Sequence, residues 1–219
     1  MSSPTLPIES DPYHIGHSGP DSSATGHGAG GPASKRIIVG YGFWIFLISD
    51  IILFSALFGS YAVLAPATAG GPAARDIFDT NNVAWETGCL LLSSFACGMA
   101  SIAVGQRSQL WTQVALLVTG LLGLVFLLLE IHEFHGLLAR GFGPTRSAFL
   151  TAFFTLVGCH GAHVTAGLLW LGTMMAQFFA KGFRRPIEHR YFCFSLFWHT
   201  LDIIWVAIFC LVYLVGINL

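Results

Sequence analysis

Residues 148–180 read AFLTAFFTLVGCHGAHVTAGLLWLGTMMAQFFA, without one Lys, Arg, Asp or Glu. An apolar helix of about 20 residues crosses the hydrocarbon core of a bilayer, so this stretch is long enough to span one. Near its middle stands Gly158-Cys-His-Gly-Ala-His-Val164. His160 and His163, at i and i+3 of a helix, share a face. Polar groups at membrane depth require a partner or a wet cavity, so that face turns toward protein rather than lipid.

The rest of the chain has the same character. It is 54% hydrophobic and 10% charged, with a mean hydropathy of +0.70. Soluble domains carry about a quarter charged residues, so the composition is that of an integral membrane protein. The formal net charge of -1 and the lack of a basic run give no sign of a nucleic-acid partner. Cys89, Cys97, Cys159, Cys193 and Cys210 all lie in apolar segments and form no C-x-x-C pair. They read as small buried hydrophobes, not as a disulfide framework or a zinc site.

Residues 1–34 are rich in Gly, Ser, Pro and His and show no hydrophobic period, which predicts a disordered tail. No apolar segment follows Met1, so the start does not read as a cleaved signal peptide. Residues 35–219 form the second unit, an all-α, polytopic bundle of five transmembrane helices. The expected spans run from about Ile37 to Leu64, Val83 to Val104, Leu110 to Glu130 or a little beyond, Ser147 to Ala180, and Tyr191 to Ile217. The first loop contains Ala69-Gly-Gly-Pro72, which breaks helix; the other loops are short, so neighbouring helices run antiparallel.

Five spans place Lys35, Arg36, Arg107, Lys181, Arg184, Arg185 and Arg190 on one side, and Arg75, Arg140 and Arg146 on the other. The positive-inside rule then puts the N-terminus in the cytoplasm and the C-terminus outside.

The spans carry buried polar residues. Asp50 lies deep in the first, and Glu86 lies close to the outer end of the second, within reach of interfacial water. The third ends in Glu130-Ile-His-Glu133-Phe-His135, the fourth holds His160 and His163, and the fifth holds His199 and Asp202, again at i and i+3. By the helical rise, His160, His163, His199 and Asp202 share roughly the middle depth and are able to meet. Taken singly, each fits an ordinary interhelical hydrogen bond. A di-iron bundle needs Glu-x-x-His on two helices, and the chain has none. A bis-His haem held by His163 and His199 is one alternative, which would make the chain a free-standing electron carrier. A proton-coupled transporter is another, although no matching helix interruptions point to it.

These residues carry a family resemblance. The segment from Arg146 to Val164, ending Gly-Cys-His-Gly-Ala-His-Val, resembles the F-x-G-x-H-G-x-H-V signature of haem–copper oxidase subunit III. Phe197-Trp-His-Thr-Leu-Asp-Ile-Ile-Trp-Val206 is similar to that family's W-H-x-x-D-x-x-W on its last helix. Trp44 to Leu57, with Ser49-Asp-Ile-Ile-Leu-Phe54, is similar to its first shared helix, and Glu130-Ile-His-Glu-Phe134 to the acidic end of the helix before the His pair. Cytochrome c oxidase members usually have two further helices and a Glu where Asp50 stands. Both departures resemble the quinol-oxidising, cytochrome bo-type branch, with a cytochrome c oxidase subunit III as the nearer alternative.

The resemblance implies an accessory subunit with no catalytic residue, cofactor or metal of its own. Haem and copper belong to subunit I, the main contact, and subunits II and IV complete the complex. Such a subunit packs on subunit I, holds phospholipid between its helices and supports proton uptake, assembly and stability. The complex oxidises ubiquinol, reduces oxygen to water and moves protons across the bacterial inner membrane. On this reading Asp50, Glu130, Glu133, His160, His163, His199 and Asp202 form an interhelical polar network or face the lipid cleft. Lys181, Arg184 and Arg185 at the cytoplasmic face are candidate lipid-headgroup contacts.

Overall fold

A computed structural model describes residues 35–70 and 80–215. The tail expected at 1–34, and Arg75 with most of the first loop, lie outside the described residues. Among the described residues there are five helices long and apolar enough to cross a membrane, and no strand. They are α1 (Lys35–Leu64), α2 (Thr80–Gly105), α3 (Gln109–Ala139), α4 (Ala148–Lys181) and α5 (Arg185–Ile208). A π-helical segment, Phe209–Val215, continues α5.

Helices α2 to α5 close into a ring, α2 against α3, α3 against α4, α4 against α5 and α5 back against α2. Short turns impose the antiparallel order. Between α2 and α3 the chain reverses through Arg107, whose φ of 53° lies in the left-handed region. The N–H of Ser108 then bonds the carbonyl of Ala103 at 3.1 Å, satisfying an acceptor that the helix end leaves open. Ser147 caps α4, its hydroxyl accepting from the N–H of Leu150 at 3.2 Å. Gly182, with φ 64°, ends α4, and a proline in the first turn starts α5.

Helix α1 lies outside this ring, against α4 and α5. Its buried residues Leu47, Asp50, Phe54 and Tyr61 recur at helical spacing on one stripe, while Ile45, Ile48, Ile52 and Val63 face outward. An apolar outer surface of this kind suits acyl chains, which solvate isoleucine as well as another helix does. Association in lipid therefore depends on close packing and hydrogen bonds.

Trp198 of α5 makes the closest packing. A Cβ built on Gly123 of α3 would fall 2.9 Å from its ring, and one on Gly167 of α4 also 2.9 Å. Only glycine at both positions leaves the indole its place. The Nε1–H donates to Ser93 Oγ at 3.0 Å, and that hydroxyl donates onward to the Thr119 carbonyl at 3.0 Å. One side chain thus touches all the other helices of the ring. About two turns later along the same face, Trp205 Nε1 donates to Thr87 Oγ1 at 3.1 Å, and at the other end Tyr191 donates to the Cys97 carbonyl at 2.9 Å.

Two helix ends differ from the sequence reading. Helix α3 continues to Ala139, so Glu130 to His135 lie inside it, because between Glu130 and the turn at Gly141 the chain has no proline and a single glycine, Gly136. Helix α5 begins at Arg185 rather than near Tyr191, since a proline at the helix start and Glu188 in the first turn favour an N-terminus among charged residues.

Candidate functional site

All five helices carry polar side chains into the bundle. On α4, His163 turns toward α1 and places Nε2 3.2 Å from Asp50 Oδ1. Its Nδ1 lies 2.7 Å from the carbonyl of Cys159. A carbonyl only accepts, so Nδ1 carries a hydrogen. The Nε2–Oδ1 contact then holds one further proton, on the ring or on the carboxyl. Either way the pair has no net charge, which is the form least costly to bury.

His160, on the same helix, is fully buried and points elsewhere. Its ring is enclosed by Phe54, Phe126 and Trp205 at centroid distances of 6.2, 5.9 and 5.3 Å. Neither nitrogen has a hydrogen bond among the described residues. Successive helical residues are offset by about 100°, so i and i+3 diverge by about 60°. That angle directs His163 to the α1–α4 seam and His160 into the ring of helices.

The glycines of the same stretch explain its shape. A Cβ on Gly161 would stand 2.8 Å from Glu130 Oε1, and one on Gly158 would lie 3.6 Å from Phe134. The carboxyl of Glu130, buried on α3, packs directly on the α4 backbone at Gly161. Glu86 of α2 is fully buried as well, with Asn82 Nδ2 donating to its Oε1 at 3.2 Å. It therefore does not reach interfacial water, because α2 turns this face toward α3. Glu86, Glu130 and the half-buried Glu133 lie within electrostatic reach of one another.

The fifth helix has a separate setting. His199 Nδ1 lies 2.7 Å from Ser94 Oγ of α2, and Asp202 stands beside them on the wall of an open groove. The residues read from sequence as one network thus occupy four places: the α1–α4 seam, the aromatic box around His160, the α2–α5 groove, and the cluster of Glu130 and Glu133 with Glu86. His163 and His199 belong to different seams. No group of three His, Cys, Asp or Glu arranged to hold a metal occurs among the described residues. Lys181, Arg184 and Arg185 are exposed at the α4–α5 turn, where Arg107 also pairs with Glu188 at 3.6 Å.

A match to the family described as cytochrome c oxidase subunit III covers residues 22–217. The chain belongs to that family. The match takes in every helix of this subunit III chain. Among its relatives, the cytochrome bo(3) ubiquinol oxidase subunit 3 of Pseudomonas aeruginosa is 49% identical over 176 residues, 80% of this chain and 84% of the relative. The protein of the same name from Buchnera aphidicola subsp. Baizongia pistaciae is 43% identical over 183 residues, 84% and 93% of the two chains. The quinol oxidase subunit 3 of Bacillus subtilis is 40% identical over 177 residues, 81% and 87%.

Sequence reasoning passed over several residues that hold this family member together. Ser93 and Thr87 carry no motif, and hydroxyls in apolar helices usually bond back to their own turn; Thr119 takes part through its backbone carbonyl, which no side-chain pattern marks. Gly123 and Gly167 were legible as small residues in membrane helices, a known mark of close helix approach. Their common partner, Trp198, was not.

Proposed function

We propose that this chain is the accessory subunit III of a bacterial cytochrome bo-type ubiquinol oxidase. The observation that carries the reading is the 49% identity, over most of both chains, to a relative named as that subunit. The complex oxidises ubiquinol, reduces oxygen to water and translocates protons. This chain supplies no redox centre; haem and copper are held by subunit I, against which it packs, with subunits II and IV beside it. Its contribution is assembly, stability and retention of phospholipid.

The polar residues support such a role. Asp50–His163 ties α1 to α4, Ser94–His199 ties α2 to α5, and Glu130 packs α3 against α4 at Gly161. An apolar groove of about 240 Å³ between α3 and α4, walled by Leu117, Leu121, Leu168 and Met175, is suited to an acyl chain. Lys181, Arg184 and Arg185 stand at one end of the bundle, where they suit anionic headgroups. That end is cytoplasmic by the positive-inside rule, which places residues 1–34 in the cytoplasm as a tail and the C-terminus in the periplasm of the inner membrane.

The test is purification through a tag on this chain in mild detergent, with ubiquinol and reduced cytochrome c compared as donors. Recovery of a haem-bearing chain that consumes oxygen with ubiquinol is the expected result. Recovery of the chain alone overturns the reading, and activity with cytochrome c only moves it to the other branch of the family.

A further inference from the structure

At one end the interior of the bundle is acidic. Glu86 enters it from α2, and Glu130 and Glu133 from α3, all in the half remote from the α4–α5 turn. Glu86 is fully buried and Glu130 is 4% exposed. Tyr61 comes to this end from α1, and the π-helical winding after α5 carries the buried Tyr213 there as well. Tyr213 lies within electrostatic reach of all three carboxyls and of Tyr61. Helix α4 adds no charge: it meets Glu130 with the backbone at Gly161, and His160 beside it turns its ring to Phe126 and Trp205.

Among the described residues no lysine or arginine balances these acids. Arg140 and Arg146 at this end are exposed, the first bonded to the Gly136 carbonyl and the second over the Phe142 ring. His132 and His135 are exposed on α3. Three carboxylates in one such interior repel one another and each carries the cost of a buried charge, whereas a carboxylic acid is neutral and gains a donor. Acceptors for that donor are present. Asn82 serves Glu86 Oε1, while Glu86 Oε2 and Glu130 Oε2 have no hydrogen-bond partner among the described residues. Tyr61, 4% exposed, brings an unserved hydroxyl from a different helix to the same end. Buried groups of this kind from separate helices point to something bound between them.

We propose that Glu86, Glu130 and Glu133 together form a binding site for an exchangeable proton, filled at neutral pH and reached from the aqueous phase past the half-buried Glu133. A proton held by interacting carboxyls belongs to the set rather than to one residue. It passes between carboxylate oxygens, the donor becoming a carboxylate as the acceptor becomes an acid, so no co-reactant is needed. The site is a property of the chain itself and does not depend on the complex that the chain enters.

The deciding experiment is infrared difference spectroscopy of the purified full chain, with whatever subunits it retains, in light and in heavy water at neutral pH. Glu86→Gln and Glu130→Gln keep the shape of the neutral acid. At least one of them is expected to lose a carbonyl-stretching band of a protonated carboxylic acid, and in the parent that band shifts to lower frequency in heavy water. If neither variant loses such a band, or if the band does not shift on long exposure, the proposal is overturned. Glu133→Gln, at a half-buried position that folding tolerates more readily, reads the sharing and the entry route. It is expected to move the frequency of the remaining band and to slow its exchange into heavy water. A frequency and an exchange rate both equal to those of the parent overturn the shared site.

Discussion

His163 of α4 stands 3.2 Å from Asp50 of α1, while its other ring nitrogen is held 2.7 Å from the Cys159 carbonyl in its own helix. The ring is thereby fixed in tautomer and direction, and Asp50 is the group it is aimed at. Asp50→Asn keeps a donor for Nε2 and is expected to stay within about 1 kcal/mol of the parent. Asp50→Leu leaves a nitrogen of the half-buried His163 imidazole without its partner and is expected to lose about 1–3 kcal/mol. Thermal unfolding of the detergent-solubilised protein separates the two. Equal losses would mean that the hydrogen bond contributes nothing and that α1 is held by packing alone.

The position of Trp198 between two glycines makes a sharper demand. Gly167→Val places a branched side chain where the indole ring lies 2.9 Å from a Cβ, and the packing around it is closed. A loss of about 1–3 kcal/mol, or failure to accumulate, is expected from such overpacking. Trp198→Phe in the same chain restores part of the room and is expected to recover part of the loss, though it gives up the bond to Ser93. If the double variant is no better than Gly167→Val, as judged by resistance to protease in membranes, the indole is not what the glycine accommodates.

Gly161→Ala tests the contact between Glu130 and the α4 backbone. The added methyl meets Oε1 at 2.8 Å, so α3 and α4 must separate or the carboxyl must move. Combined with Glu130→Ala, the cost of the methyl is expected to fall, giving a coupling of about 0.5–3 kcal/mol in a double-mutant cycle. Additive losses would place Glu130 away from Gly161.

Replacing Lys181, Arg184 and Arg185 by Gln removes charge that the structure leaves exposed at one end of the bundle. Each charge near an anionic headgroup is worth about 1 kcal/mol, so the affinity of the detergent-solubilised protein for anionic lipid is expected to fall about fivefold per residue replaced. Binding of neutral lipid should not change. An equal fall for both lipids would assign the residues to folding instead.

Much of the architecture was legible in the chain because a bilayer leaves few options. Runs such as 148–180 must be helices, and the distribution of Lys and Arg then sets how they alternate. Pairing was not legible. His160 and His163 read as a single feature, yet a divergence of about 60° sends them to different neighbours, and no local signal says which helix stands in either direction. Glu86 read as interfacial because it lies near a helix end; its burial follows from the rotation of α2, which three-dimensional packing decides. The glycines opposite Trp198 were visible as glycines, but the side chain that needs them is remote in sequence.

The placement of α1 outside the ring bears on how the chain is made. Asp50 and His163 are separated by 113 positions. Helix α1 is synthesised first, yet its two neighbours, α4 and α5, are synthesised last. The Asp50–His163 contact cannot form until α4 has been synthesised, so the seam between α1 and α4 is by necessity a late contact of the bundle.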